Sequence, residues 1–178
     1  MYAHVLAEEL EAGLPEILES PRNEGTVELV VRRPAEGQRE ILEEGLLDVD
    51  EGLVGDRWHT SGGRGDPRTQ LTLMNARVIA IIAGQSERWA LAGDQLYVDL
   101  DLTPENLPPG AQLEVGTAVI EVTDVPHTGC AKFTERFGSA ATRFVNAAPG
   151  RALRMRGMNA RVATPGSVRP GDAIRKLG

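Results

Sequence analysis

The second half of the chain is cut into short apolar runs. DQLYVDL, AQLEV, AVIEVTDV, RALRMRG, ARVAT and DAIRKL follow one another between Asp94 and Leu177, each of strand length. Gly93-Asp94, Pro108-Pro109-Gly110, Gly116, Pro165-Gly166 and Pro170-Gly171 punctuate them with residues that favour turns. Strands this short and closely spaced leave little room for helical crossovers, which argues against an alternating parallel sheet. The pattern predicts a closed or nearly closed β-barrel with peripheral helices, mainly β within the α+β class. Earlier in the chain GTVELVVRRP alternates with strand period, and REILEEGLLDV does so in part. Ala3 to Ala12 reads as an amphipathic helix stopped by Gly13, with Pro15 opening another turn, and Asn75 can cap ARVIAIIAG, which ends at Gly84. A single domain over residues 1–178 is expected, with 1–20 as an N-terminal helical extension.

At 178 residues the chain is long enough to build a core without staples. Its net charge of −7 disfavours a protein that coats nucleic acid. The opening stretch MYAHVLAEELEAGLPEILES lacks the basic region and apolar core of a signal peptide, and no later run has the length to cross a bilayer. The one cysteine rules out a disulfide framework and a Cys-rich zinc site, and a lone thiol is easiest to keep reduced in the cytoplasm, the expected location. Among the basic residues 17 are Arg and 2 are Lys, Lys132 and Lys176. A GC-rich coding sequence accounts for that bias, and so does a site for phosphates, which suit the guanidinium fork.

The cysteine stands in PHTGCAKFTERFG. After Cys130 the pattern turns helical: Phe133 and Phe137 share a face, and Gly138 can end the helix. Cys130 is therefore expected at a strand-to-helix turn. Backbone N–H groups there, with Lys132, Arg136 or a protonated His127, would hold the thiol below its ordinary pKa. Gly129 permits a tight turn or the close approach of a ligand, and Cys130 is expected at the mouth of a pocket within reach of several arginines. A buried, inert cysteine is the plain alternative. His127 and Cys130 form an H-x-x-C pair, but no other cysteine is present and His4 and His59 are distant, so a protein-only tetrahedral zinc site is not completed. One thiolate suffices for a soft metal whose cofactor supplies the other ligands. A Cys–His hydrolase fits less well, because its partners normally converge from distant segments.

Two further clusters carry charge. GLVGDRWHTSGGRGDPRTQLTL gathers Asp56, Arg57, His59, Arg64, Arg68 and Gln70 around a glycine-rich loop that can bind an anion but has no Walker or dinucleotide pattern. RALRMRGMNARV places Arg151, Arg154, Arg156 and Arg161 around Gly157 and Asn159, and as a strand it would point Arg154 and Arg156 to one face and Met155 to the other. Solvated charge is the bland reading of both.

EGLVGDRW, RTQLTLMN, LAGDQLYVDLDLTPENLPPGAQLEVGTAVIEVTDVPHTGCAKFTERFG and GMNARVATPGSVRPGDAI together resemble the MOSC domain family, over about Gly52 to Ile174. The family module occurs at the C-terminus of molybdenum cofactor sulfurases and as small stand-alone bacterial proteins. The resemblance implies a barrel-like β fold and a cysteine used in sulfur or molybdenum chemistry, and Cys130 falls on the family cysteine. It implies a molybdopterin-type molybdenum cofactor whose metal takes Cys130 as ligand. Arg57, Arg68, Gln70, His127, Thr128, Gly129, Lys132, Arg156, Asn159 and Arg161 are the candidate cofactor-binding residues. A reductase of N-hydroxylated small molecules, fed by an electron-transfer protein, is the leading expectation. The alternatives are a sulfur carrier that holds a Cys130 persulfide received from a sulfur donor, and a plain binding module. No pyridoxal phosphate is expected, since neither lysine can be argued into a Schiff-base site.

Overall fold

A computed structural model describes residues 2–60 and 65–178. Arg64 and most of the glycine-rich loop lie outside the described residues. In chain order the elements are α1 (Ala7–Ala12), α2 (Leu14–Leu18), β1 (Glu24–Arg32), β2 (Glu40–Ile41), β3 (Gly45–Asp48), β4 (Gly52–Leu53), β5 (Leu71–Asn75), α3 (Ala76–Ala83), β6 (Leu96–Asp99), β7 (Gln112–Val115), β8 (Ala118–Val122), α4 (Ala131–Asn146), α5 (Ala148–Ala152), β9 (Met158–Thr164), β10 (Gly166–Val168) and β11 (Ala173–Lys176).

The expected barrel forms and closes. Strands run β11-β7-β8-β9-β5-β6-β1, and β1 pairs back with β11, Glu24 opposite Arg175 through Thr26 opposite Ala173. β2 extends from β1, and β10, β3 and β4 make a small separate sheet. Every pairing around the barrel is antiparallel except β5 with β6, which lie parallel with Leu73 opposite Leu96. That pair needs a crossover, supplied by α3 and a 3-10 stretch, Ser86–Ala92.

The period-two alternation of these strands sorts the core into two layers. Leu71, Leu73, Leu96 and Val98 point into the barrel with Val27, Leu113, Ile120 and Ile174. Met74 and Tyr97, the intervening residues, point outward and are covered by Val78, Ile82, Phe133, Phe137 and Leu10 from the helices. β5 is therefore buried on both faces, and all five residues of LTLMN are buried, the polar Thr72 and Asn75 with hydrogen-bond partners.

Two local expectations are corrected. The first helix starts at Ala7 rather than Ala3, because Glu9 reaches back to the Leu6 N–H at 2.9 Å and caps it there. Gly13 ends it as expected, with right-handed backbone (φ −82°), and α2 with Pro15 in its first turn follows at once. RALRMRG is not a strand: Pro149 opens α5, whose end and a following turn occupy Arg151 to Arg156.

Candidate functional site

Beyond β8 the chain runs without regular structure through Pro126, His127, Thr128 and Gly129 to Cys130, which precedes the first residue of α4. Cys130 is exposed, so the inert-core alternative does not hold. Phe133 and Phe137, 2% and 1% exposed, stack at 5.0 Å between ring centroids and pin the first turns of α4 onto the barrel. Their burial fixes where the helix begins, and hence where its free N–H groups point. Partial burial pushes the Cys130 thiol up, but the N–H groups of Phe133 and Lys132 and the charge of Arg156 outweigh it and hold the thiol below its ordinary value. The side chains of Lys132 and Arg136, expected to help, point elsewhere: Lys132 Nζ binds Glu36 at 2.7 Å, and Arg136 Nη1 donates to the Leu91 carbonyl at 2.8 Å.

Gly138 breaks α4 with φ 91°, and a side chain there would strike the His4 ring, 2.7 Å from Nδ1. The helix resumes in a new direction and brings Asn146 back to the turn. Its Oδ1 accepts from the Gly129 N–H at 2.8 Å, and its Nδ2 donates to the Gly129 carbonyl at 3.0 Å. Gly129 has no positive φ; its need is for space, since a Cβ would sit 3.2 Å from Val145 and 3.4 Å from Asn146. Asn146 went unnoticed in the sequence because its partner is 17 residues away across a kink.

Beneath the turn lies a buried charge group. Asp94 is fully buried; one oxygen meets His127 Nε2 at 3.0 Å and the other accepts from Arg156 Nη1 at 2.6 Å. Burial would raise the Asp94 carboxyl, yet Arg156 and His127 together pull it down to about 2. Burial lowers His127, and the charge of Arg156 adds to this against the opposing pull of Asp94. With Asp94 ionised and acceptor-only, a neutral His127 donates from Nε2 and keeps a lone pair on Nδ1. The guanidinium of Arg156 also lies 5.0 Å over the Phe133 ring, tying this group to the start of α4.

Four consecutive carbonyls at the end of the Ser86–Ala92 segment collect four guanidinium groups. Arg39 donates to Ala90, Arg136 to Leu91, Arg156 to Ala92 and Arg33 to Gly93, at 2.8 to 3.1 Å. The carbonyls at the end of a helical segment favour such donors. Arg33 is also held by both oxygens of buried Asp56. Arg39 is lowered by burial and then by the charges of Arg136, Arg33 and Arg57.

The remaining candidates are scattered. Arg57 joins this cluster and acts on Glu36 beside Lys132. Thr128 is exposed beside His127. Asn159 is buried and donates to the Val125 carbonyl at 3.0 Å, bracing the segment that leads to the turn. Gln70 uses both ends of its amide on backbone, donating to Val49 O and accepting from Val162 N, each at 2.8 Å. Arg68 pairs with Asp66 and Asp124, and Arg161 with Glu121, on the outer surface. Arg154 does not share a strand face with Arg156; it sits in the turn with φ 47°. A cavity of about 330 Å³ is lined by His127, Thr128, Arg151, Arg154 and Arg156, so the expected basic pocket exists, although Cys130 is not among its lining residues. Among the described residues no three His, Cys, Asp or Glu side chains group to hold a metal ion, and no helix is long and apolar enough to cross a membrane.

The MOSC domain profile matches residues 64–175. Two solved structures share the fold: the YuaD protein from Bacillus subtilis, with TM-score 0.61 and 20% identity over 85% of this chain and 94% of that one, and YiiM from Escherichia coli, with TM-score 0.56 and 20% identity over 86% of this chain and 70% of that one. No curated protein matches the sequence.

Proposed function

The chain belongs to the MOSC domain family, and from that premise we propose that it binds a molybdopterin-type molybdenum cofactor with Cys130 as the protein ligand to the metal. The donor set fits such a group. A soft, exposed thiol held toward its thiolate form is present, while no cluster of three ligands for a bare ion is found among the described residues. The metal must then arrive with most of its ligands already supplied by an anionic carrier.

The observation that carries this reading is the thiol together with the guanidinium groups gathered at residues 90–93, of which Arg156 acts on Cys130 and Arg136 stands on the helix that Cys130 heads. Arg39 and Arg136 donate only to carbonyls among the described residues, so their charge stays available to a phosphate. Arg57 and Lys132 sit at the same place around Glu36. When bound, the cofactor supplies two-electron reduction, and N-hydroxylated small molecules are the proposed substrates, with a separate protein as electron donor. Cys130 holds the metal, Asn146 and Phe133 fix the sulfur in place, and His127 is kept neutral by Arg156 and burial, with Nδ1 able to accept a proton.

Elemental analysis of protein from a host that makes the cofactor tests this. Molybdenum near one atom per chain in the wild type, lost in Cys130→Ser, is the expected result. Metal-free wild-type protein that instead gains a labile sulfur from a sulfurtransferase would replace this reading with the persulfide carrier.

A further inference from the structure

We propose that the cavity beside the Cys130 turn binds the carboxylate of a small organic acid, with Arg154 as its counter-ion. Arg154 is half-buried, and its Nη1 donates to the carbonyls of Leu102 at 3.1 Å and Leu107 at 2.7 Å. Those two bonds fix the plane of the guanidinium. The opposite edge, Nε and Nη2, has no protein partner among the described residues, and no carboxylate there pairs with Arg154. Burial is the single influence on its pKa, which it lowers, as expected of a desolvated cation without its anion. Two parallel N–H groups on one edge match the two oxygens of a carboxylate.

A second observation concerns the backbone. Arg154 is the one non-glycine with positive φ among the described residues, at 47°. A side chain is held in this region only where its surroundings over-determine it, and such strain concentrates at ligand sites. The strained turn is what delivers Arg154 to the cavity wall, which it shares with Arg151 and Arg156.

A third is the charge balance of the cavity. Arg156, also in that wall, is committed to Asp94 and to the Ala92 carbonyl. Of the carboxylates near the cavity, Asp94 is balanced by Arg156, and Asp124 at the rim shares Arg68 with Asp66. Arg151 and Arg154 therefore leave the cavity with net positive charge. Pro104, Val125, Val145 and Met158 supply an apolar wall, and about 330 Å³ suits a small molecule with one anionic group and a compact apolar body. That this acid is a substrate rests on the reading of Cys130 as reactive centre; that it binds does not.

Calorimetric titration of cofactor-free protein with benzoate, benzamide and inorganic phosphate tests the proposal. Benzoate should bind, and its neutral amide should not. Arg154→Gln should weaken benzoate by about tenfold or more, the usual worth of a charge-assisted pair, with Arg154→Lys in between because the charge stays while the fork is lost. Thr128→Trp, which blocks the exposed wall without touching Arg154, should also abolish binding and serves if the Arg154 variants do not fold. Equal binding of benzamide, preference for phosphate over benzoate, no heat with benzoate, or undiminished affinity in Arg154→Gln or in Thr128→Trp would each overturn the assignment. Cys130→Ser should bind benzoate as the wild type does, so loss of molybdenum and loss of the acid site are read separately.

Discussion

Arginines on the barrel exterior and arginines near Cys130 do different work, and their partners show it. Outside, Arg68, Arg161, Arg169 and Arg175 each meet carboxylates, Asp66 and Asp124, Glu121, Glu44, and Glu24 and Glu114. At residues 90–93 and in the cavity wall, Arg39, Arg136 and Arg154 meet backbone carbonyls, which orient a guanidinium without cancelling its charge. A chain of net charge −7 thereby keeps uncancelled positive charge at these places. Carbonyl partners preserve a field for an anion, whereas carboxylate partners remove it.

The largest expected effect is at a buried place near the site where a carboxylate does hold an arginine. Asp94→Ala would leave Arg156 buried without its counter-charge and should cost about 3–5 kcal/mol in urea unfolding. A loss below about 1 kcal/mol would mean that Arg156 is not bound in this way. Asn146→Ala, which removes both bonds to Gly129, should cost about 1–3 kcal/mol, and should also move the half-maximal pH of Cys130 alkylation upward as the turn loosens. If Cys130 titrates unchanged in that variant, the clamp does not position the sulfur.

Acid should attack the site before the surface. His127 lies below its ordinary value when folded, so the unfolded chain binds the extra proton, and the stability from keeping it neutral is present above about pH 6.5 and fades as pH falls below that. Asp94 acts in the same direction further down, its contribution being lost as pH falls from about 4 toward its folded value of about 2. Unfolding free energy measured from pH 8 to 4 should decline from near 6.5 in the wild type and less steeply in His127→Gln. A flat profile would show that His127 is not held neutral.

Smaller effects sharpen the contrast. Iodoacetamide should modify Cys130 in the folded protein with a half-maximal pH below the ordinary thiol value of about 8.5. Lys132→Ala should leave that midpoint in place, because its Nζ binds Glu36 and only its backbone N–H serves the sulfur. An upward shift would restore the side chain to the site. Arg161→Ala, on the exterior, should change stability by no more than about 0.5 kcal/mol and leave both molybdenum content and the Cys130 midpoint untouched.

Much of the fold was legible in one dimension because its determinants are local. Turn residues spaced by strand lengths implied a barrel, and Asn75 and Gly84 bounded α3 as expected, with the Asn75 side chain accepting from the Arg77 N–H. Gly138 broke α4 where a helix of two turns was expected to stop, and Cys130 stood at its head. RALRMRG misled because an alternating apolar pattern over seven residues fits a strand as well as the end of a helix; Pro149 before it was the signal that decided otherwise.

What sequence alone determined about this protein was thus which residues are turns, strands and helix ends, and that a single thiol sits where a helix begins. Those properties depend on backbone preferences that reach only a few residues along the chain. Tertiary structure alone decided which of the many arginines remain uncompensated. Nothing local separates Arg161 from Arg136 or Arg154, since a guanidinium's effective charge depends on whether a carboxylate or a carbonyl lies opposite it, and those partners come from 40 to 52 residues away. Coulomb interactions act through space, so they are set only when the barrel closes and α4 turns back on Gly129.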